Sequence, residues 1–91
     1  MSCEQIKQIL SEGGVLIDVR EPHEHAAGAI PQSQNIPLGL LSNALDAIPK
    51  DKPVLLYCKS GARSGGAQQY LSDLGYDAHN IGGYETYAHC Q

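Results

Sequence analysis

The residues best suited to chemistry lie around Cys58. An apolar run beginning at Val54 ends on this cysteine, and the chain continues through Lys59, Gly61 and Arg63 into a segment with helical spacing. A free cysteine has a pKa of roughly 8.5, which a helix N-terminus and nearby cations lower. A cysteine that ends a buried strand is more often a small core residue. Because a charged, glycine-bearing loop follows this one, the pattern favours a nucleophile.

The loop after Cys58 resembles the active-site loop of the rhodanese family of sulfurtransferases. Further segments resemble the other signatures of that family, in the same order, and the match extends from about Val15 to Tyr87. One such motif would be a weak signal, whereas four in order are specific. The matching segments are residues 16–21 (LIDVRE), 28–31 with 35–38 (GAIP and NIPL), 58–64 (CKSGARS) and 81–84 (IGGY).

The order of apolar segments predicts the fold class. Strand-like and helical patterns alternate without a repeat or linker, which is typical of one open α/β domain with about four or five mostly parallel strands. The resemblance implies a rhodanese-like open, mostly parallel sheet of four or five strands with helices on both faces. We therefore expect residues 1–91 to form a single rhodanese domain.

The resemblance also implies the chemistry. Cys58 would take a sulfane sulfur from an anionic donor such as thiosulfate, release sulfite, and pass the sulfur from a persulfide to cyanide or to a thiol such as thioredoxin or glutathione. No metal or other cofactor is required. The substrate-binding residues would be Lys59, Ser60, Gly61, Ala62, Arg63 and Ser64.

Two alternatives remain open from the sequence. Related phosphatases carry a loop one residue wider, C-x5-R, whereas the spacing from Cys58 to Arg63 is C-x4-R and favours sulfur over phosphate. A rhodanese-like domain can also carry persulfide between proteins, or bind a partner, with little turnover of small donors.

Asp18, Arg20 and Glu21 follow the first predicted strand. Because functional groups gather beyond the carboxyl ends of strands in open α/β sheets, we expect these three residues near the loop. A supporting role is favoured, in which a carboxylate binds loop amides or pairs with Arg63. The guanidinium of Arg63 suits a thiosulfate anion and a carboxylate such as Asp18 or Glu21 equally well.

Charge and hydropathy narrow the class of partner. The 91-residue chain has a net charge of −4 and six basic residues without a basic run, which argues against a nucleic-acid surface. It contains no apolar stretch of 18 residues and no secretory leader pattern, so we expect neither a membrane segment nor membrane binding.

The three cysteines predict a reducing location. Their odd number and wide separation indicate no disulfide framework, which favours the cytoplasm; a removed secretory leader remains open. Cys3 is expected to face the core, and Cys90 to be a frayed, incidental thiol. A resolving role for Cys90 in a persulfide relay is the alternative.

Several helices must hold these groups in place. Ser2 and Gln5 predict a capped first helix that ends at Gly13. A second helix, residues 22–27, carries two histidines whose spacing gives no complete metal-ligand set, so a solvated helix face is favoured. The other predicted elements are a helical stripe at Leu41, Leu45 and Ile48, a helix face at Ala67, Tyr70, Leu71 and Leu74, a strand at residues 76–81, and a closing helix with Tyr84 and Tyr87.

Overall fold

The computed structural model describes residues 1–90, which form an alternation of helices and strands. The α-helices are α1 (Cys3–Ser11), α2 (Pro22–Ala27), α3 (Ala62–Asp73) and α4 (Tyr84–Tyr87). The strands are β1 (Val15–Asp18), β2 (Gln34–Asn35), β3 (Val54–Cys58) and β4 (Ala78–Gly83). Two short 3-10 helices span Leu38–Asn43 and Leu45–Ala47. Within residues 1–90, no helix combines the length and apolar character needed to cross a bilayer.

The strands form one parallel sheet in the order β2-β1-β3-β4. β1 and β3 are neighbours in its centre, with Val15 opposite Val54 and Asp18 opposite Tyr57. The carboxyl ends of these strands therefore meet at one edge, and this brings Asp18 close to Cys58. The predicted open parallel α/β sheet is confirmed, and it has four strands.

The side chains of β3 alternate between two apolar layers, because successive strand residues point to opposite faces of a sheet. Val54, Leu56 and Cys58 pack into the layer under α3 and the 3-10 helices. Leu55 and Tyr57 pack into the layer formed with α1 and α4. Every residue of β3 is buried, which explains its continuous apolar run.

α1 begins and ends as predicted. The Ser2 hydroxyl accepts the Gln5 backbone N–H at 3.1 Å, and the Gln5 side chain accepts the Ser2 backbone N–H at 2.8 Å. These bonds form the capping box. Gly13, at φ +100°, lies just beyond the helix in a backbone conformation that favours glycine.

The predicted helix through Leu41, Leu45 and Ile48 is instead formed by the two 3-10 helices. Leu41 and Ile48 are buried and Leu45 is partly buried, so the apolar stripe reaches the core as predicted. Ala44, between the two 3-10 helices, has φ −113° and ψ +10°, which lies outside the α-helical region and interrupts a continuous helix.

The predicted apolar face of α3 is only half correct. Ala67 and Leu71 are fully buried, whereas Tyr70 and Leu74 are 38% and 40% exposed. The buried stripe of α3 is narrow, and it continues toward Cys58 through Ser64 rather than through a further apolar residue. A hydroxyl is thereby buried beside the thiol.

The cysteine predictions are wrong in two respects. Cys3 and Cys90 form a disulfide that joins the start of α1 to the segment after α4. Cys90 is 8% exposed, so it is a packed residue rather than a frayed thiol, while Cys3 packs partly against the core as expected. Positions 87 residues apart in sequence meet because α1 and α4 cover the same face of the sheet. This pairing removes the cysteine argument for a reducing location.

Candidate active site

The loop after β3 places Cys58 at the base of a ring of backbone groups. β3 ends at Cys58, α3 begins at Ala62, and Gly61 between them has φ +97°. That conformation is rare for residues with a side chain. β4 closes the other side of the loop so tightly that a Cβ atom at Gly83 would lie 2.5 Å from the Lys59 carbonyl oxygen.

The Cys58 sulfur accepts hydrogen bonds from this loop. The Gly61 N–H donates to Sγ at 3.0 Å, and the Ser64 hydroxyl lies 3.4 Å from the same atom. Burial alone would raise the pKa of this thiol, but hydrogen bonds from Ser64, Ser60 and Gly61 outweigh it and lower the pKa to about 7. The thiolate is therefore a major form at neutral pH.

Several other residues of the loop lie at the protein surface, in contrast to the sulfur. Cys58 is fully buried, while Lys59, Ser60 and Ala62 are exposed. The Ala62 N–H is directed to the Ser60 hydroxyl, at 3.5 Å. The pKa of the Cys58 thiol is therefore lowered mainly by hydrogen-bond donors of the loop rather than by the charges of Lys59 and Arg63, which the sequence had suggested.

Arg63 has a carboxylate partner, but neither of the predicted ones. Its guanidinium donates to both oxygens of Glu24, at 2.8 and 3.0 Å, rather than to Asp18 or Glu21. The bonds from Arg63, together with the Glu21 backbone N–H, lower the pKa of Glu24 to about 2. α2 is therefore joined to α3 beside the loop, and Glu21 contributes by orienting Glu24.

Asp18 and Arg20 form a buried pair with each other. The Arg20 side chain donates to both Asp18 oxygens at 2.7 to 3.0 Å, and His25 Nδ1 lies 2.9 Å from Oδ2. Burial would raise the pKa of Asp18, but the bonds from Arg20 and His25 lower it. The supporting role of Asp18 and Arg20 thus consists of a mutual ion pair, because α2 places His25 rather than Arg63 against the carboxylate.

Arg20 also connects this pair to α4. Its guanidinium donates to the Gly28 carbonyl at 2.7 Å and lies 4.5 Å from the ring centre of Tyr84 and 5.5 Å from that of Tyr57. Cation–π contacts of this kind stabilise buried guanidinium groups. β1, α2, β3 and α4 therefore meet at one charged residue.

Two residues of the site were missed by sequence reasoning. His25, expected on a solvated face, contacts Asp18. Asn80 of β4 donates to the Gly61 carbonyl at 2.9 Å and accepts the Ser64 hydroxyl at 2.7 Å and the Gly82 N–H at 3.0 Å. A strand irregularity between Leu56 and Tyr57 shifts the pairing of β4 at this point. A polar residue directly before the Ile81-Gly82-Gly83 motif was the available signal.

Comparison with known proteins agrees with this geometry. The family model for the rhodanese-like domain matches residues 2–90. The chain belongs to the rhodanese-like domain family.

Individual relatives of this rhodanese-like domain support the same class. A protein of Allochromatium vinosum named sulfurtransferase is 43% identical over 78 residues, covering 84% of this chain and 73% of that protein. A Schizosaccharomyces pombe protein named putative thiosulfate sulfurtransferase, mitochondrial, is 42% identical over 83 positions, covering 77% of this chain and 57% of that protein.

A solved structure of a human single-domain sulfurtransferase superposes with a TM-score of 0.73 at 32% identity, covering 92% of this chain and 88% of the human chain. The likeness therefore extends over nearly the whole fold. Together, the relatives support a transferase of the rhodanese type as the general activity class.

Proposed function

We propose that this rhodanese-like domain transfers sulfane sulfur from thiosulfate, or a similar anionic donor, through a persulfide on Cys58. The observation that carries the proposal is the Cys58 thiol, which accepts a hydrogen bond from Gly61 at 3.0 Å and has its pKa lowered to about 7. A thiolate that accepts hydrogen bonds from N–H groups is a nucleophile. The same N–H groups can stabilise the anionic outer sulfur of a persulfide.

The reaction consists of two sulfur displacements. The Cys58 thiolate attacks the outer sulfur of thiosulfate, the sulfur–sulfur bond of the donor breaks, and sulfite leaves with the bonding electron pair. An acceptor thiolate or cyanide then attacks the outer sulfur of the Cys58 persulfide, and its sulfur–sulfur bond breaks to restore the Cys58 thiolate. Donor and acceptor thus react in turn, as in other covalent ping-pong mechanisms.

The loop residues have distinct roles in this proposal. The backbone N–H groups of residues 59–64 stabilise the outer persulfide sulfur, which is an anion, and the Ser64 hydroxyl stabilises the inner one. Lys59 is exposed beside the buried sulfur, so its charge attracts the anionic donor. Arg63 assists donor binding when its guanidinium is released from Glu24.

The proposed donor and acceptor are supported by the chemistry of the site and by the name of one relative. The name of the fission yeast relative includes thiosulfate, which fits a small site that requires an anion with a transferable sulfur. A thiol such as glutathione or thioredoxin is the proposed acceptor, since thiols resolve persulfides. Such thiols are abundant in the cytoplasm, which is the proposed location.

Intact-mass measurement tests the proposal. The protein should gain one sulfur atom on incubation with thiosulfate, and cyanide added afterwards should remove that atom and form thiocyanate. Release of sulfite in equal amount would establish thiosulfate as the donor. No gain of sulfur from thiosulfate would overturn the proposed donor.

Two other functions predict different results. A dedicated persulfide carrier would take sulfur from a partner protein but not turn over thiosulfate with cyanide. A phosphatase-type relative would release phosphate from an aryl phosphate and lose that activity with Cys58→Ser. The C-x4-R spacing favours sulfur over the wider phosphatase loop.

Thiolate formation at Cys58 should follow a titration with a midpoint near pH 7. The deprotonated form is the nucleophile, so the rate of sulfur loading should rise with pH through this midpoint and level off above it. Ser64→Ala removes a hydroxyl that can turn its single proton from Asn80 Oδ1 to the thiolate, and it should move the midpoint upward, toward the roughly 8.5 of a free cysteine.

The thiolate absorbance in the ultraviolet, corrected with the Cys58→Ser variant, measures this midpoint directly. Ser72→Ala, an exposed serine of the same helix, is the matched control and should leave the midpoint unchanged. An equal midpoint in the wild type and Ser64→Ala would show that the hydroxyl does not stabilise the thiolate.

Glu24→Gln should lower the KM for thiosulfate, by about two- to fivefold. Glu24 occupies the guanidinium of Arg63 through two hydrogen bonds, so its neutralisation frees a positive charge beside the loop. Glu12→Gln, an exposed change of equal charge in the segment after α1, serves as the control in steady-state kinetics. If both variants lower KM equally, only the net charge matters.

Arg63→Lys should raise KM with little change in melting temperature.

A further inference from the structure

A second cluster of sulfur and nitrogen ligands lies on the other side of the sheet from the candidate active site. Cys3 is the first residue of α1, and His89 and Cys90 follow α4. Their three ligand atoms lie within 4.8 Å of one another. Cys90 belongs to the apolar layer opposite the one that contains Cys58, so this cluster is separate from the Cys58 loop.

The spacing of this cluster matches a zinc site once the disulfide is open. His89 Nε2 lies 3.6 Å from Cys3 Sγ. In a tetrahedral site with zinc–sulfur bonds of about 2.3 Å and zinc–nitrogen bonds of about 2.0 to 2.1 Å, the sulfur–nitrogen edge is about 3.6 Å. The two sulfurs would separate to an edge of about 3.8 Å. With Cα atoms 5.6 Å apart, both cysteines can reach one ion.

The surroundings of the cluster can accommodate a metal ion. His89 is exposed, and a cavity of about 430 Å³ adjoins the three residues, with Glu4 and Lys7 in its lining. Two thiolates balance the charge of one Zn²⁺ ion, so the loaded site adds no net charge at the edge of the core. The cavity provides room for a water molecule as fourth ligand.

We propose that the reduced chain binds a zinc ion through Cys3, His89 and Cys90, and that the disulfide and the metal are alternative ways of joining the two chain segments. A dithiol reductant supplies two electrons and two protons, which convert the disulfide to two thiols while the reductant forms its own disulfide. Zinc binding then releases the two thiol protons, because the thiolate is the ligand. Oxidation of the thiols by a disulfide-containing compound expels the ion.

The test uses Co²⁺ as a spectroscopic probe of the reduced Cys58→Ser protein, so that the remaining candidate thiols are those of the cluster. One equivalent should produce a thiolate charge-transfer band and the intense visible bands of four-coordinate cobalt. One equivalent of Zn²⁺ should then abolish both. The oxidised protein should show neither band.

The His89→Ala and Cys3→Ser variants, made in the same background, separate this site from adventitious binding. His89→Ala should weaken Zn²⁺ binding by at least about tenfold in competition with a chromophoric chelator, and Cys3→Ser should remove the charge-transfer band. Far-ultraviolet circular dichroism of oxidised His89→Ala reports whether that variant folds. The Cys58→Ser protein is the parent of these variants. Unchanged Zn²⁺ affinity in His89→Ala, or no cobalt band in the reduced parent, would overturn the proposal.

A melting measurement provides an independent readout. Stoichiometric Zn²⁺ should raise the melting temperature of the reduced parent, because an ion that binds only the folded state stabilises it. The same ion should leave the oxidised parent and reduced Cys3→Ser unchanged. A rise of equal size in all three proteins would indicate binding elsewhere and contradict the site. Since Cys58 is absent from these proteins, the result does not depend on the sulfurtransferase proposal.

Discussion

Replacing Cys58 by serine is expected to abolish sulfur loading from thiosulfate. Serine preserves the size of the side chain, but its hydroxyl is not ionised at neutral pH and cannot form a persulfide. Turnover of thiosulfate with cyanide should therefore fall by at least about three orders of magnitude, as when a covalent nucleophile is removed from other enzymes. Intact mass and thiocyanate formation measure the two half-reactions separately.

The controls for this variant follow from the disulfide. Cys3 and Cys90 are bonded to each other, and Cys58 is the free thiol among residues 1–90. Cys90→Ser should therefore still gain one sulfur atom. If Cys58→Ser gains sulfur and Cys90→Ser does not, the nucleophile has been assigned to the wrong cysteine. Circular dichroism should show that both variants keep the fold.

Asp18→Asn should cause a large loss of stability. Asp18 is fully buried and accepts bonds from Arg20 and His25, so the substitution leaves the Arg20 charge buried without its counter-ion. Breaking a buried pair in this way costs about 3–5 kcal/mol. For a domain of about 90 residues, this corresponds to a fall in melting temperature of roughly 15 °C or more. Asp51→Asn, an exposed change of equal charge, should have almost no effect.

The stability contributed by the Asp18–Arg20 pair should decrease at acidic pH. The pKa of Asp18 is lowered in the folded protein, so its contribution to stability is present above its unfolded pKa of about 3.9 and is lost as pH falls through the folded value. The difference in unfolding free energy between the wild type and Asp18→Asn should therefore be full at pH 7 and shrink below about pH 4. A difference that stays constant to pH 2 would show that the loss arises from shape rather than charge.

Pairing beyond one element depended on the packing of the whole chain. Arg63 has a fork that fits any carboxylate, and only the position of α2 beside α3 selects Glu24 over Asp18 or Glu21. For the same reason His25 reaches Asp18 from α2, whereas Arg20 is only two residues from Asp18. Nothing in the sequence pattern of α2 identifies Asp18 or Arg63 as the partner of its side chains.

The residues around Cys58 show the same division. The sequence indicated a strand-to-helix loop with a nucleophile, because an apolar run, a glycine and a helical pattern are contained within residues 54–64. It did not indicate Asn80, which reaches the loop from β4 only because β4 lies parallel to β3.

Residues near the two ends of the chain show most clearly which features can be predicted from local sequence and which cannot. A capping box and an apolar face determine α1 from its own residues, since the bonds involved link positions three or four apart. The meeting of Cys3 with Cys90 has no local cause: it follows from α1 and α4 covering one face of the sheet. Sequence alone determined most of the elements, the order of the motifs and the nucleophile candidate, because short-range hydrogen bonds and periodic burial encode them. Tertiary structure decided the ion pairs, the polar contacts of the loop and the disulfide, because these depend on which faces pack together.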